Sequence, residues 1–227
     1  MDILLIAGMW LTAPVWQETA DHLARQGHRA VPIRLPGQDD GDVAATLADQ
    51  VAAVLGEVDR AARPLVVGHS AASGLAWLVA DARPDAIAGV AMVGGFPPAD
   101  GATYFDAFPA RDGVVPFPGW ERFDGPDTAD LDRASRTRLE SLTVPVPSGV
   151  TDATVRLRDE RRHRVPVTLV CPEYSPDDAR SWIEAGHLPE PSRAEDVRYA
   201  DLATGHWPMI SAPDRLAVAI AGIAERR

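Results

Sequence analysis

An α/β fold, with a mostly parallel sheet and helices on both of its faces, is predicted by three features of this 227-residue chain. Strand-like runs alternate with helix-like stretches through the first 95 residues and again after residue 164. The runs Met1 to Ala7 and Ile87 to Val93 lack the polar alternation of a half-exposed strand, which is the pattern of strands buried on both faces. Finally, Val66-Val67-Gly68-His69-Ser70-Ala71-Ala72 passes from an apolar run through a glycine turn into a helical stretch.

In chain order, Met1 to Ala7 reads as a strand ended by Gly8, and Val15 to Gln26 as an amphipathic helix stopped by Gly27. His28 to Leu35 is a second strand, broken at Pro36-Gly37. Val43 to Ala62 is a long Ala/Val/Leu helix that ends before Pro64. Leu65 to Val67 gives the next strand and Ala71 to Ala82 the next helix; Ile87 to Val93 is a strand ended by Gly94-Gly95. After a long interruption, Pro166 to Cys171 is a strand, Asp177 to Ala185 a helix, Val197 to Tyr199 a short strand and Pro213 to Glu225 a closing helix.

The interruption is rich in proline and holds all five phenylalanines, Phe96, Phe105, Phe108, Phe117 and Phe123, with Tyr104 and Trp120 beside them. Inserted at the C-terminal ends of parallel strands, such a segment covers the crevice where these sheets bind ligands. It is read as a cap lining an apolar pocket, although its aromatics could equally form a small core of their own. The expected division is a core of residues 1–95 and 164–227 with a cap at 96–163. The basic cluster Arg156, Arg158, Arg161, Arg162 and Arg164, interleaved with Asp159 and Glu160, reads as a solvated helix face.

The formal net charge of −11 disfavours nucleic acid, which would meet net repulsion. The run Ile3 to Ala7 is too short for a signal-peptide core and follows Asp2 instead of a basic region, and no stretch has the length of a membrane span. A cytoplasmic protein that does not engage membranes is therefore expected. Cys171 is the single cysteine, so no internal disulfide forms, and it reads as a small apolar residue at a strand end.

Ser70 carries the first chemical signal. A strand, a tight turn and a helix expose its hydroxyl above the sheet, with the helix N-terminus aimed at whatever the hydroxyl attacks. A serine capping its helix would show the same local pattern, so the rest of the chain has to distinguish the two.

Ile6-Ala7-Gly8-Met9-Trp10 with Trp16, Leu35-Pro36-Gly37, Gly68-His69-Ser70-Ala71-Ala72 and Gly205-His206-Trp207-Pro208, in this order and spacing, resemble the α/β-hydrolase superfamily. Within it, the chain is most similar to small esterases and hydroxynitrile lyases with a short cap. The resemblance implies an α/β-hydrolase fold over nearly the whole chain. It also implies a nucleophile at Ser70 and its general base at His206, in the loop before the last helix. Backbone amides of Met9 and Ala71 are implied as oxyanion donors, with Trp10, Phe96 and Trp207 on the pocket wall. His22, His28, His69, His163 and His187 read as structural or solvated.

Two positions depart from the family pattern. Ala72 stands where glycine is usual, a single extra methyl. The acid loop reads Pro172-Glu173-Tyr174-Ser175-Pro176-Asp177-Asp178, without an aspartate at its usual place. Glu173 is the preferred orienting acid because its longer arm reaches back; Asp177, Asp178 and Asp100 stay open as alternatives.

The expected activity is hydrolysis of a carboxylic ester of a small to medium apolar molecule, without metal or organic cofactor; a thioesterase or C–C hydrolase fits the same residues. A lyase using serine and histidine as acid and base is weakened by the absence of lysine, since all 22 basic residues are arginine. A ligand-binding protein on the hydrolase scaffold is the remaining alternative. The expected partner is a small-molecule substrate, and self-association is left open.

Overall fold

In the computed structural model, which describes residues 1–226, the apolar runs form one six-stranded parallel sheet. In chain order the strands are β1 (Asp2–Ile6), β2 (Arg29–Pro32), β3 (Leu65–His69) and β4 (Gly89–Val93). A separate antiparallel pair, β5 (Val114–Val115) and β6 (Val146–Pro147), precedes β7 (Val167–Cys171) and β8 (Val197–Asp201). The order across the main sheet is β2-β1-β3-β4-β7-β8, with every neighbouring pair parallel.

The helices are α1 (Gln17–Arg25), α2 (Leu47–Val58), α3 (Ala72–Ala82), α4 (Arg133–Ser141), α5 (Ser148–Thr151), α6 (Pro176–Glu184), α7 (Pro208–Ser211) and α8 (Pro213–Ala224). They account for the absence of polar alternation in the strands. Leu4, Ile6, Val66, Val90 and Leu169 pack on the face carrying α2 and α3. Their chain neighbours Ile3, Leu5, Val67, Ala91 and Val170 pack with Leu216, Ile220 and Ile223 of α8 on the other.

Element boundaries differ from the sequence reading where local chemistry intervenes. The helix expected from Val43 begins at Leu47, because Thr46 accepts from the Asp49 amide while Asp49 accepts in return from the Thr46 amide, a reciprocal cap. Pro14 turns the first residues of the expected Val15 to Gln26 helix into a 3₁₀ turn, Ala13–Trp16.

Residues 96–163 lie within the connection from β4 to β7, which are adjacent in the sheet. They carry the small β5/β6 ladder, α4, α5 and several 3₁₀ turns, and they tie back to the sheet at specific points. Val144 N–H donates to Trp10 O (2.8 Å), Trp10 Nε1–H donates to Val115 O (3.1 Å), and Tyr104 Oη–H donates to Ala71 O (3.0 Å).

One expectation for this segment is corrected. Arg162 is buried, not on a solvated face: it sits in the 3₁₀ turn Glu160–Arg164, and its guanidinium donates from Nε to Glu190 (3.0 Å) and meets Asp81 at 3.4 Å. Glu190 also accepts from Trp77 Nε1 (3.0 Å). Burial of the Glu190 carboxyl opposes ionisation, but hydrogen bonds from Arg162 and Trp77 outweigh it and hold its pKa below the ordinary range. Among the described residues, no helix is long and apolar enough to cross a membrane.

Candidate active site

β3 delivers Ser70 to the C-terminal edge of the sheet, and α3 leaves immediately behind it. The turn is tight enough to place Ser70 at φ 54°, the left-handed region that costs an L-residue roughly 1–2 kcal/mol. Ser70 N–H donates to Val93 O (2.8 Å), which fixes this conformation against β4. Gly68 permits the close passage of α3, because a Cβ there would stand 2.3 Å from Ala72 O. Ala72, with its extra methyl, is buried in the core on the α3 side of the sheet.

β8 and the loop to α7 bring His206 to the same edge. The exits of β7 and β8 are stitched together by Leu202 N–H to Cys171 O (2.9 Å) and Thr204 N–H to Pro172 O (3.0 Å), which lays the His206 loop beside Glu173. His206 Nδ1 lies 2.8 Å from Glu173 Oε1, and Nε2 lies 2.9 Å from Ser70 Oγ. With Glu173 ionised, Nδ1 carries the proton it donates, so Nε2 is bare and accepts the Ser70 hydroxyl hydrogen. This chain of groups can withdraw a proton from the alcohol and hold the resulting imidazolium.

Three further groups hold the histidine loop. His69 Nε2–H donates to His206 O (2.7 Å). From residues 96–163, Asp127 O accepts His206 N–H (2.8 Å) and Asp130 Oδ2 accepts Gly205 N–H (2.7 Å). Only glycine fits at 205, since a Cβ would stand 2.4 Å from Asp127 O. Burial, with the neighbouring His206 charge, lowers the His69 pKa to about 3, so this ring stays neutral.

Ser70 opens into a cavity of about 230 Å³. Its apolar wall comes from Trp10, Phe105, Phe108, Phe123 and Trp207. Phe96, expected on this wall, lies elsewhere: it packs against Tyr174 and Trp182, 5.5 and 5.9 Å between ring centres, over α6. Farther along the insertion, Phe105, Phe108 and Phe123 are the phenylalanines that reach the cavity.

The loop after β1 also lines the cavity through Met9 and Trp10. Among the described residues, neither Met9 nor Ala71 donates its backbone N–H to a protein acceptor. The two border a small void, and Ala71 is not part of the wall of the Ser70 cavity. Trp10, at φ 64°, is held through both its indole and its carbonyl by residues 96–163.

The alternative acids are occupied elsewhere. Asp178 caps α6 through Ser175, Asp177 pairs with Arg180 on the surface, and Asp100 accepts Leu157 N–H (2.8 Å).

A sequence model of the Alpha/beta hydrolase family matches residues 3–219. The chain belongs to this family. A comparison with curated proteins gave no match. Among solved structures, this α/β-hydrolase is similar to an extracellular α/β-hydrolase from a Paenibacillus species, with TM-score 0.81 and 19% identity over 98% of both chains. It is also similar to a pyrethroid hydrolase from Sphingobium faniae, with TM-score 0.71 and 20% identity over 99% of this chain and 97% of that one. A methylesterase from Arabidopsis matches with TM-score 0.76 and 13% identity over 100% of both chains.

Several groups that support the α/β-hydrolase site carry no distinct sequence signal. Gln38, buried just after Leu35-Pro36-Gly37, donates from Nε2 to Gly8 O (3.0 Å) and Leu11 O (2.6 Å), pinning both ends of the Met9-Trp10 loop. Gln50 of α2 supports it in turn, donating to Gln38 Oε1 (3.1 Å) and Pro36 O (3.0 Å). A polar residue at a buried position in α2 was the only available sign, and it reads equally well as surface helix.

Proposed function

We propose that this chain is a serine hydrolase that cleaves a carboxylic ester of a small to medium, mainly apolar molecule. The observation that carries the reading is the unbroken line of hydrogen bonds from Ser70 Oγ through His206 to Glu173. In this reaction Ser70 Oγ attacks the ester carbonyl while His206 Nε2 takes the hydroxyl proton. Glu173 holds the Nδ1–H tautomer and stabilises the imidazolium. The backbone N–H groups of Met9 and Ala71, both without a protein acceptor, serve the negative oxygen of the tetrahedral intermediate. His206 then protonates the departing alkoxide, an acyl-Ser70 ester remains, and water activated by the same imidazole releases the acid.

The largely aromatic cavity wall suits a compact body with much hydrocarbon surface, and the names of two similar structures, a pyrethroid hydrolase and a methylesterase, agree with ester substrates. The test is reaction with a fluorophosphonate followed by peptide mapping: an adduct on Ser70, absent in Ser70→Ala, is expected. A wild-type protein that does not label would favour a ligand-binding role on the same scaffold.

A further inference from the structure

The cavity beside Ser70 has one feature that ester cleavage does not use. Asp127 lines it, yet its carboxyl takes no part in the Ser70, His206 and Glu173 relay; only its backbone carbonyl is engaged, by His206 N–H. Among the described residues no arginine pairs with this carboxyl, and the chain has no lysine. Its electrostatic neighbours are His206 and Glu173, and burial, opposed by His206 and reinforced by Glu173, raises its pKa. Beside the Ser70, His206 and Glu173 relay, the wall is mostly aromatic, with Trp10, Phe105, Phe108, Phe123 and Trp207. An aromatic ring presents negative charge on its face, and a half-buried carboxylate without a counter-charge attracts a cation more strongly than one fully in water. Phe108 already accepts one cation, since the Arg122 guanidinium carbon lies 5.8 Å from its ring centre. No arginine lines the cavity itself.

We propose that Asp127 and these aromatic side chains form a subsite for an ammonium group, so that the cavity selects esters carrying a quaternary or protonated amine a few bonds from the scissile carbonyl. This inference rests on the ester-cleavage reading. The carboxylate supplies the opposing charge, the rings replace water around the alkyl groups on nitrogen, and the net charge of −11 favours the approach of cations over anions. An ester bearing a carboxylate at the same position meets both Asp127 and Glu173, with no arginine in the wall to offset them.

The experiment compares acetylcholine with its uncharged isostere, 3,3-dimethylbutyl acetate, as the ratio of their kcat/KM values on one enzyme preparation. The ratio cancels any loss of folded protein. Wild type is expected to favour acetylcholine by about tenfold or more, and Asp127→Asn to reduce that ratio by about tenfold. Equal values in wild type, or an unchanged ratio in Asp127→Asn, would overturn the proposal. If neither ester turns over, binding decides. Ser70→Ala titrated calorimetrically with choline is expected to bind it about tenfold more tightly than 3,3-dimethylbutan-1-ol, with the difference lost on adding Asp127→Asn; equal affinities overturn the subsite. Failure of the ester-cleavage reading is separate, because it appears as a Ser70 that no fluorophosphonate labels.

Discussion

His69 and His206 are joined by a hydrogen bond in which the His69 Nε2–H is donated to the His206 carbonyl oxygen, 2.7 Å away, with the two rings 5.0 Å apart. The residue before Ser70 thus holds the backbone of the residue whose side chain reaches Ser70. Burial keeps the His69 ring neutral, because a second proton, at Nδ1, would find no partner and would face His206.

The consequence for pH stability follows from the sign of the shift. The folded-state pKa of His69, about 3, lies below the ordinary value of 6.5, so the unfolded chain takes up a proton that the folded protein refuses. Stability from this group is complete above pH 6.5 and declines as pH falls toward 3, by about 1.4 kcal/mol per unit in the steep range. In His69→Gln that part of the slope is expected to vanish. Urea midpoints at pH 7, 6 and 5 for the two proteins measure it, and parallel slopes would rule the account out.

The acid assignment separates Glu173 from Asp177. Glu173→Gln keeps the shape but removes the charge that holds the Nδ1–H tautomer and stabilises the imidazolium, so kcat is expected to fall by roughly 10² to 10⁴-fold. Asp177→Asn breaks only a surface pair with Arg180 and leaves turnover unchanged. Steady-state kinetics on an activated aryl ester reads both; an active Glu173→Gln enzyme would transfer the role to another group.

Gln38 acts through the backbone. Its amide bonds Gly8 O and Leu11 O, the carbonyls that flank the Met9-Trp10 loop. Gln38→Ala is expected to lower kcat by about tenfold or more by loosening the Met9 donor, and to cost about 1–3 kcal/mol of stability through unpaired buried groups. The same kinetics and a urea melt test it; a variant with lowered stability and wild-type kcat would show that Gln38 serves the fold alone.

The buried Arg162 and Glu190 pair governs stability away from the site. Glu190→Gln leaves the guanidinium without its closest charge, with Asp81 at 3.4 Å as partial compensation, and is expected to cost about 3 kcal/mol. Since the folded-state pKa of Glu190 is lowered, its contribution is full above the ordinary glutamate value of 4.5 and is lost as pH falls below it. Comparing the variant with Arg162→Met, which removes the charge at the other end, shows whether loss of the partner or loss of the pair is responsible.

Much of this architecture could be read directly from the residues. Ile3 to Ile6, Leu65 to Val67 and Val90 to Val93 are apolar at every position because both faces of the sheet are covered. Glu173 was legible because its side chain is one methylene longer than the usual aspartate, which lets an earlier position reach the imidazole. Phe96 was misplaced because periodicity says nothing about the path of an irregular segment, and phenylalanines on either side of one proline-rich turn look alike. Arg162 was misread for a related reason: among four other arginines and two acids, nothing local shows that a 3₁₀ turn points one guanidinium inward. Gln38, Asp130 and His69 act through backbone groups, which leave no side-chain pattern to recognise.

The most direct measurement is rapid-quench mass spectrometry during turnover of a p-nitrophenyl ester. A Ser70 peptide heavier by the mass of the acyl group, formed within the first turnover and absent in Ser70→Ala, is the expected result. Sustained hydrolysis by Ser70→Ala at the wild-type rate, or turnover with no acyl group ever on Ser70, would contradict it.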